Sequence, residues 1–139
     1  MTGGRQVLPR ILVTGASGYL GRLLVSELGR ELTAGRIGTL VATDIRTVSP
    51  DELTRGVHDI RHDVRDGGLA DVLLEHAVDC VVHLASIVTP PKGSTREFEY
   101  SVDVGGTRRV LDACVEAGVR RIVVTSSGAA YGYHADNPE

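Results

Sequence analysis

The chain has only two cysteines in 139 residues, Cys80 and Cys114. Both sit inside apolar patterns without C-x-x-C spacing, which argues against a disulfide framework or a cysteine metal site and for reduced core residues. Lysine is scarcer still, with Lys92 the only one. No apolar run approaches bilayer-spanning length, and the polar, glycine-containing opening from Met1 to Arg10 lacks a signal-peptide core. Excess charge of either sign is missing too. A net charge of −3 and a pI near 5.9 leave no electrostatic footprint for nucleic acid or an anionic membrane. The cytoplasm is the expected location, with no nucleic-acid and no membrane partner. The five histidines are scattered. The nearest approach to a metal pattern, His58-Asp59 with His62-Asp63, reads as a loop feature, and no metal is assigned.

What is present is the composition of one soluble domain with a real core: 42% hydrophobic and 24% charged residues. The organising stretch is Ile11 to Arg22, Ile-Leu-Val-Thr-Gly-Ala-Ser-Gly-Tyr-Leu-Gly-Arg. Ile11 to Thr14 reads as a buried strand, and Gly15, Gly18 and Gly21 follow in G-x-x-G-x-x-G spacing. An apolar helical pattern then begins. Strand, glycine turn and helix are the context a dinucleotide-binding loop requires. Gly15 turns the chain, Gly18 leaves room for a pyrophosphate at backbone N–H groups, and Gly21 lets the helix pack close to the strand. The helix N-terminus offers N–H donors and partial positive charge to phosphates. A glycine triplet also serves as a bare turn, so the loop needs support from the rest of the chain.

That support comes from the order of elements. Leu20, Leu23, Leu24 and Leu28 recur at helical spacing and predict a first helix from about Gly18 to Leu32. Ile37 to Thr43 predicts a second strand ending at Asp44. Ser49-Pro50-Asp51-Glu52 is a capping box with proline at the first helical position. Val57 to Val64 predicts a third strand, and Leu69 to Ala77 a short helix opened by Asp66. Asp79 to Ala85 is a fourth strand, apolar on both faces as in parallel sheets. A loop with Pro90-Pro91 leads to a second capping box, Ser94-x-x-Glu97, and one long helix to about Ala117, closed by Gly118. Arg121 to Thr125 is a fifth strand. Alternating strands and helices predict an α/β, Rossmann-type doubly wound parallel sheet of order 3-2-1-4-5. Ligands of such sheets bind beyond the carboxyl ends of the strands, where the residues of interest fall. Asp44 lies some twenty residues past Gly21, where an acid accepts hydrogen bonds from the adenosine ribose hydroxyls. A carboxylate there repels a 2′-phosphate, placing NAD ahead of NADP, although Arg46 two residues on keeps NADP in view.

The glycine loop, Asp44, Asp63-Val64, His83-Leu84-Ala85 and Ser126-Ser127-Gly-Ala-Ala-Tyr131-Gly132 together resemble the extended short-chain dehydrogenases/reductases. Within them they resemble the NAD-dependent epimerase/dehydratase group, over nearly the whole chain from about Arg10 onward. The resemblance implies that Gly15, Ser17, Gly18, Tyr19, Leu20 and Gly21, with Asp44 and Ile45, contact the cofactor. It implies that Asp63 and Val64 meet the adenine amine and ring, and that Leu84, Ala85, Ser86 and Val88 line the cofactor after the fourth strand. Thr125 lies among the contacts that end the fifth strand. Asp103 stands where the family's Asn-Val-x-Gly-Thr has Asn; an ionised Asp only accepts hydrogen bonds, whereas Asn also donates. Ser127, four residues before Tyr131, matches the family's catalytic serine, whose hydroxyl holds the substrate oxygen beside the nicotinamide.

The family's Tyr-x-x-x-Lys acid/base pair has no match: Tyr131 is followed four residues on by Ala135 and Tyr133 by Asn137. In the family the pair would fall beyond Glu139, as would the later strands and the C-terminal substrate region. The sequence stops in a polar loop, Asp136-Asn137-Pro138-Glu139, and leaves the fifth strand as an open edge. Residues 1–139 are thus expected to be the NAD(P)-binding N-terminal domain of a longer enzyme, inactive alone and a homodimer when full length. The expected reaction is hydride transfer between nicotinamide and a substrate hydroxyl or carbonyl, with a nucleotide-sugar as first substrate class. The alternatives are a non-catalytic NAD-binding module and a reductase acting on a non-sugar carbonyl.

Overall fold

Five short strands pair side by side, all parallel: β1 (Arg10–Thr14), β2 (Thr39–Asp44), β3 (His58–Arg61), β4 (Cys80–His83) and β5 (Arg121–Val124), in the order β3-β2-β1-β4-β5. The computed structural model describes residues 7–132 and 134–137. The reading of the polar opening at residues 1–6, the Tyr133 spacing and the final Pro138-Glu139 therefore lie outside the described residues. Among the described residues no helix is long and apolar enough to cross a membrane.

Alternation along the strands builds a core on each face of the sheet. On one face α1 (Tyr19–Thr33) covers Val13, Leu40 and Ala42 through Val25, with Leu24, Leu28 and Leu32 beside it. On the other, α2 (Leu69–Glu75) and the helical run α3 (Arg96–Tyr100) to α4 (Thr107–Glu116) cover Leu12, Val41 and Val81 through Leu69, Leu73, Val110 and Cys114. Each fully buried Leu or Val contributes about 1.5–3 kcal/mol. Cys114 is buried and Cys80 half-buried, both free thiols that burial pushes up in pKa.

Several local expectations are corrected. Leu20 and Leu23 point outward, because the inward stripe of α1 is Gly21, Val25 and Gly29, set by how closely Gly21 approaches the turn before it. The third strand is shorter than Val57–Val64. Its pairing ends where β2 ends, with a last bond from the His62 N–H to the Asp44 carbonyl (2.9 Å). The fourth strand likewise spans only Cys80–His83. Asp66 does not open α2. Its N–H is tied to the Asp63 carbonyl in a turn, and Gly68, at φ 89°, is the residue that leads into the helix.

The long helix from Ser94 to Ala117 is three pieces. Ser94 is held by its N–H on the Pro91 carbonyl, so the cap passes to Thr95, whose Oγ1 accepts from the Phe98 N–H at 3.2 Å. A π-helical segment, Ser101–Gly106, then widens the helix between α3 and α4. Such wide turns recur at functional sites.

Candidate functional site

Every candidate residue lies at or near the carboxyl edge of the sheet, on loops leaving the strands or on the helical run beside them. At the exit of β1, Gly15 adopts φ 67°, and a Cβ there would sit 2.7 Å from the Ala85 nitrogen. A Cβ on Gly21 would sit 2.1 Å from the Gly15 carbonyl oxygen, so the helix start and the turn touch where only hydrogen fits. Gly18 is less confined, at 3.3 Å from that same oxygen. It is the N-cap of α1, offers no side-chain cap, and is followed by no acidic residue in the first turn. The first-turn N–H groups are thus left for an outside acceptor. In the same loop the buried Ser17 hydroxyl has no hydrogen-bond partner among the described residues. An uncapped helix start, an orphaned hydroxyl and a turn without side chains fit a diphosphate. Tyr19 and Leu20 stand exposed beside it.

Asp44 is only 8% exposed, yet it is well supplied with donors. Its Oδ2 accepts from the Ser17 N–H and its Oδ1 from the Arg46 N–H, both at 3.0 Å. The Arg46 guanidinium folds back onto the Ser17 carbonyl (3.2 Å) and stands 3.6 Å from Asp44 Oδ1. The carboxylate therefore fastens the end of β2 to the glycine loop, and each oxygen keeps a lone pair for a further donor. Ile45 is exposed next to it.

Beyond β3, Asp63 is gripped by Arg65, through the backbone N–H at 2.9 Å and the guanidinium at 2.6–3.2 Å. These hydrogen bonds outweigh burial and hold the carboxyl below its usual pKa. The same guanidinium lies 5.0 Å from the centroid of the Phe98 ring. Val64 is buried against Gly106, where a Cβ would come within 2.6 Å of its Cγ2. Its outward offer is therefore backbone.

At the exit of β4, the Leu84 and Ala85 N–H groups both donate to Thr14 Oγ1, at 3.2 and 3.3 Å. His83 is buried between Thr14 Oγ1 (2.7 Å to Nδ1) and Thr107 Oγ1 (2.9 Å to Nε2). Burial pushes its pKa down, partly opposed by the charge of Asp103. Ser86 and Val88 are exposed, and the Ile87 N–H between them donates to Asp103 Oδ1 at 2.9 Å. At this position an acceptor is used, which Asp supplies as well as Asn.

At the exit of β5, the Thr125 N–H reaches the His83 carbonyl at 3.4 Å. Ser127 is exposed and caps a single helical turn, Gly128–Tyr131, its Oγ accepting from the Ala129 N–H at 3.2 Å. Among the described residues the Ser127 hydroxyl acts only as an acceptor, which leaves its proton to donate.

The structure thus brings the glycine loop, Asp44 and the Leu84–Ala85 segment into direct contact, while Asp63 and Ser127 flank them on separate loops. Sequence reasoning missed Arg65, and used Thr14, His83 and Thr107 only as parts of motifs. The available signal was a hydroxyl at the last residue of one buried strand and a histidine at the last residue of the next. Parallel register sets the two opposite each other.

The model of the NAD dependent epimerase/dehydratase family matches residues 11–139. UDP-glucose 4-epimerase from Azospirillum brasilense is 29% identical over 134 residues, covering 95% of this chain and 37% of that protein. Among solved structures, a mutant of uronate dehydrogenase from Agrobacterium tumefaciens complexed with NAD superposes with a TM-score of 0.68 at 27% identity, over 92% of this chain and 44% of that one. UDP-glucose-4-epimerase from Stenotrophomonas maltophila, with bound NAD and formylated UDP-arabinopyranose, superposes at 0.70 and 26% identity, over 94% and 40%. The chain spans about two fifths of the length of these relatives.

Proposed function

Because the chain belongs to the NAD-dependent epimerase/dehydratase family, we propose that it is the cofactor-binding part of a longer NAD-dependent oxidoreductase acting on a nucleotide-sugar. The observation that carries this reading is the uncapped start of α1 beside the orphaned Ser17 hydroxyl, with Asp44 fastened to the same loop. The first-turn N–H groups and Ser17 hold the diphosphate, and Asp44 uses its remaining lone pairs on the adenosine ribose hydroxyls. Asp44 carries negative charge where NADP has a phosphate, so NAD is the cofactor.

Asp63 and the Val64 backbone meet the adenine, with Arg65 holding Asp63 ionised. Leu84, Ala85, Ser86 and Val88 line the path toward the nicotinamide end, where Asp103 fixes the Ile87 N–H. Thr125 completes the lining from the β5 side. Ser127 donates a hydrogen bond from its hydroxyl to the substrate oxygen and orients the carbon that gives or receives hydride. The bound nicotinamide supplies the hydride acceptor or donor. The general acid/base comes from outside residues 1–139. A homodimer of the full-length protein belongs to this reading, and Leu111 and Val115 stand exposed on α4 for such a contact.

The uronate dehydrogenase likeness supports a second substrate reading, a free sugar acid in place of a nucleotide-sugar. Calorimetric titration of the chain with NAD and NADP tests the cofactor assignment: saturable NAD binding, tighter than NADP, is expected. Turnover assays of a full-length protein carrying this chain, with UDP-sugars against uronates, separate the two substrate classes. Activity on neither would reject both.

A further inference from the structure

We infer that His83 is a positioning residue, locked as the neutral Nε2–H tautomer, and that its Nδ1 orients the Thr14 hydroxyl that sets the gap between the glycine turn and the Leu84–Ala85 segment. The assignment follows from counting donors. A threonine hydroxyl has two lone pairs and one proton. Thr14 Oγ1 accepts from the Ala85 N–H at 3.3 Å and shares the Leu84 N–H, at 3.2 Å, with the Thr14 carbonyl oxygen, also at 3.2 Å. Among the described residues, the acceptor within reach of the hydroxyl proton is His83 Nδ1 at 2.7 Å, which is therefore the bare nitrogen. A neutral imidazole with a bare Nδ1 carries its proton on Nε2, and that N–H donates to Thr107 Oγ1 at 2.9 Å. The relay runs from α4 through β4 to β1 and ends on two backbone N–H groups. One of them, at Ala85, is the atom that a side chain on Gly15 would strike. Thr14 and His83 thus hold together the two loops between which the cofactor lies in the function proposed above.

An imidazolium would bring an N–H against the hydroxyl. Thr14 would then have to accept from His83 beside the Ala85 N–H, leaving the Leu84 N–H to the Thr14 carbonyl and its own proton without that acceptor. Around the ring, β1 presents Thr14, α4 presents Thr107, β5 sets Val124 in register, and the π-helical segment carries Asp103. Of these only Asp103 is ionisable, and its charge favours the imidazolium, against the burial of the ring. His83 therefore stays neutral at pH 7. As the pH falls below the ordinary histidine value of about 6.5 and through the lower value of the folded chain, the relay opens and NAD affinity drops.

The test begins without cofactor. Nitrogen NMR of the histidine-labelled chain at pH 8 is expected to show a protonated Nε2 and a hydrogen-bonded, unprotonated Nδ1 on His83. An Nδ1–H tautomer or an imidazolium there overturns the assignment. Because the tautomer is read without cofactor, a failure of the lock is distinguishable from a failure of the NAD reading. Calorimetry with NAD then compares Thr14→Val, which keeps shape but removes the hydroxyl, with Thr14→Ser, which keeps the hydroxyl. Thr14→Val is expected to lose about tenfold in affinity at pH 8, and Thr14→Ser to stay within about threefold of wild type. Equal affinity of the valine and serine variants would overturn the positioning role.

Discussion

Around β1 the carboxyl edge of the sheet is fastened from every side, whereas around β5 it is held by little. Leu12, Val13 and Thr14 are fully buried, β1 lies between β2 and β4, and its exit loop is bonded to Asp44 and packed onto Ala85. Val123 and Val124 of β5 are 47% and 44% exposed, and β5 pairs only with β4 among the described residues. Ser127, three residues past β5, is held by two hydrogen bonds within its own turn, from the Ala129 N–H to its Oγ and from the Ala130 N–H to its carbonyl. In the function proposed above, the difference separates two tasks on one edge. Binding groups must be fixed before the ligand arrives, since ordering them afterwards costs affinity, and the β1 side meets that demand within this chain. The β5 side presents a hydroxyl but not the surroundings that would fix its place against a substrate.

The sharpest way to break this contrast is to place a methyl group on each side. Gly21→Ala puts a Cβ 2.1 Å from the Gly15 oxygen and is expected to cost about 3 kcal/mol in urea unfolding and to abolish NAD binding. Gly128→Ala, with nothing within 4 Å, is expected to change stability by less than about 0.5 kcal/mol. Similar costs for the two would mean that the β1 side is no more tightly built than the β5 side.

Next in size is the pair Asp44→Ala and Ser127→Ala. Removing the carboxylate unfastens Ser17 and, in the proposed function, the ribose with it; NAD affinity is expected to fall at least tenfold and NADP affinity to fall less. Ser127→Ala is expected to leave NAD affinity within about twofold. In a full-length protein carrying this chain it should lower kcat by about 10²–10³. Loss of cofactor binding in Ser127→Ala would move that residue to the binding side of the comparison.

The smallest effect is on pH. The folded pKa of Asp63 is lowered by Arg65, so the pair stabilises the chain above the unfolded carboxylate value near 3.9. That stability is lost as pH falls through the lower folded value. Arg65 is 38% exposed, and the contribution is expected below about 1 kcal/mol. Urea unfolding from pH 6 to pH 2 should show it in wild type and not in Arg65→Gln.

The strand order and the glycine turn were legible in the sequence because each is written locally: apolar runs of strand length, glycines at fixed offsets, an acid at a strand end. The broken helix was not. Its π-helical segment ends at Gly106, which nests against Val64, a residue some forty positions earlier. The cap at Thr95 was missed because the proline turn before it takes up Ser94. Leu20 and Leu23 fit a helical face by spacing but lie on its outer side, since the approach of Gly21 to Gly15 sets the rotation of α1. Asp44 stands out in the sequence as an expected ribose acceptor, but its bond to the Ser17 N–H depends on folding two loops together. The Thr14–His83–Thr107 relay needs register between strands and a helix far along the chain, which no local pattern encodes.

The central claim, that a formed cofactor site exists within these 139 residues, is tested most directly by calorimetric titration of the wild-type chain with NAD beside its Asp44→Ala variant. Saturable one-to-one binding in the wild type, weakened at least tenfold in the variant, is the predicted result. No heat from the wild type, or the same affinity in both, would contradict it.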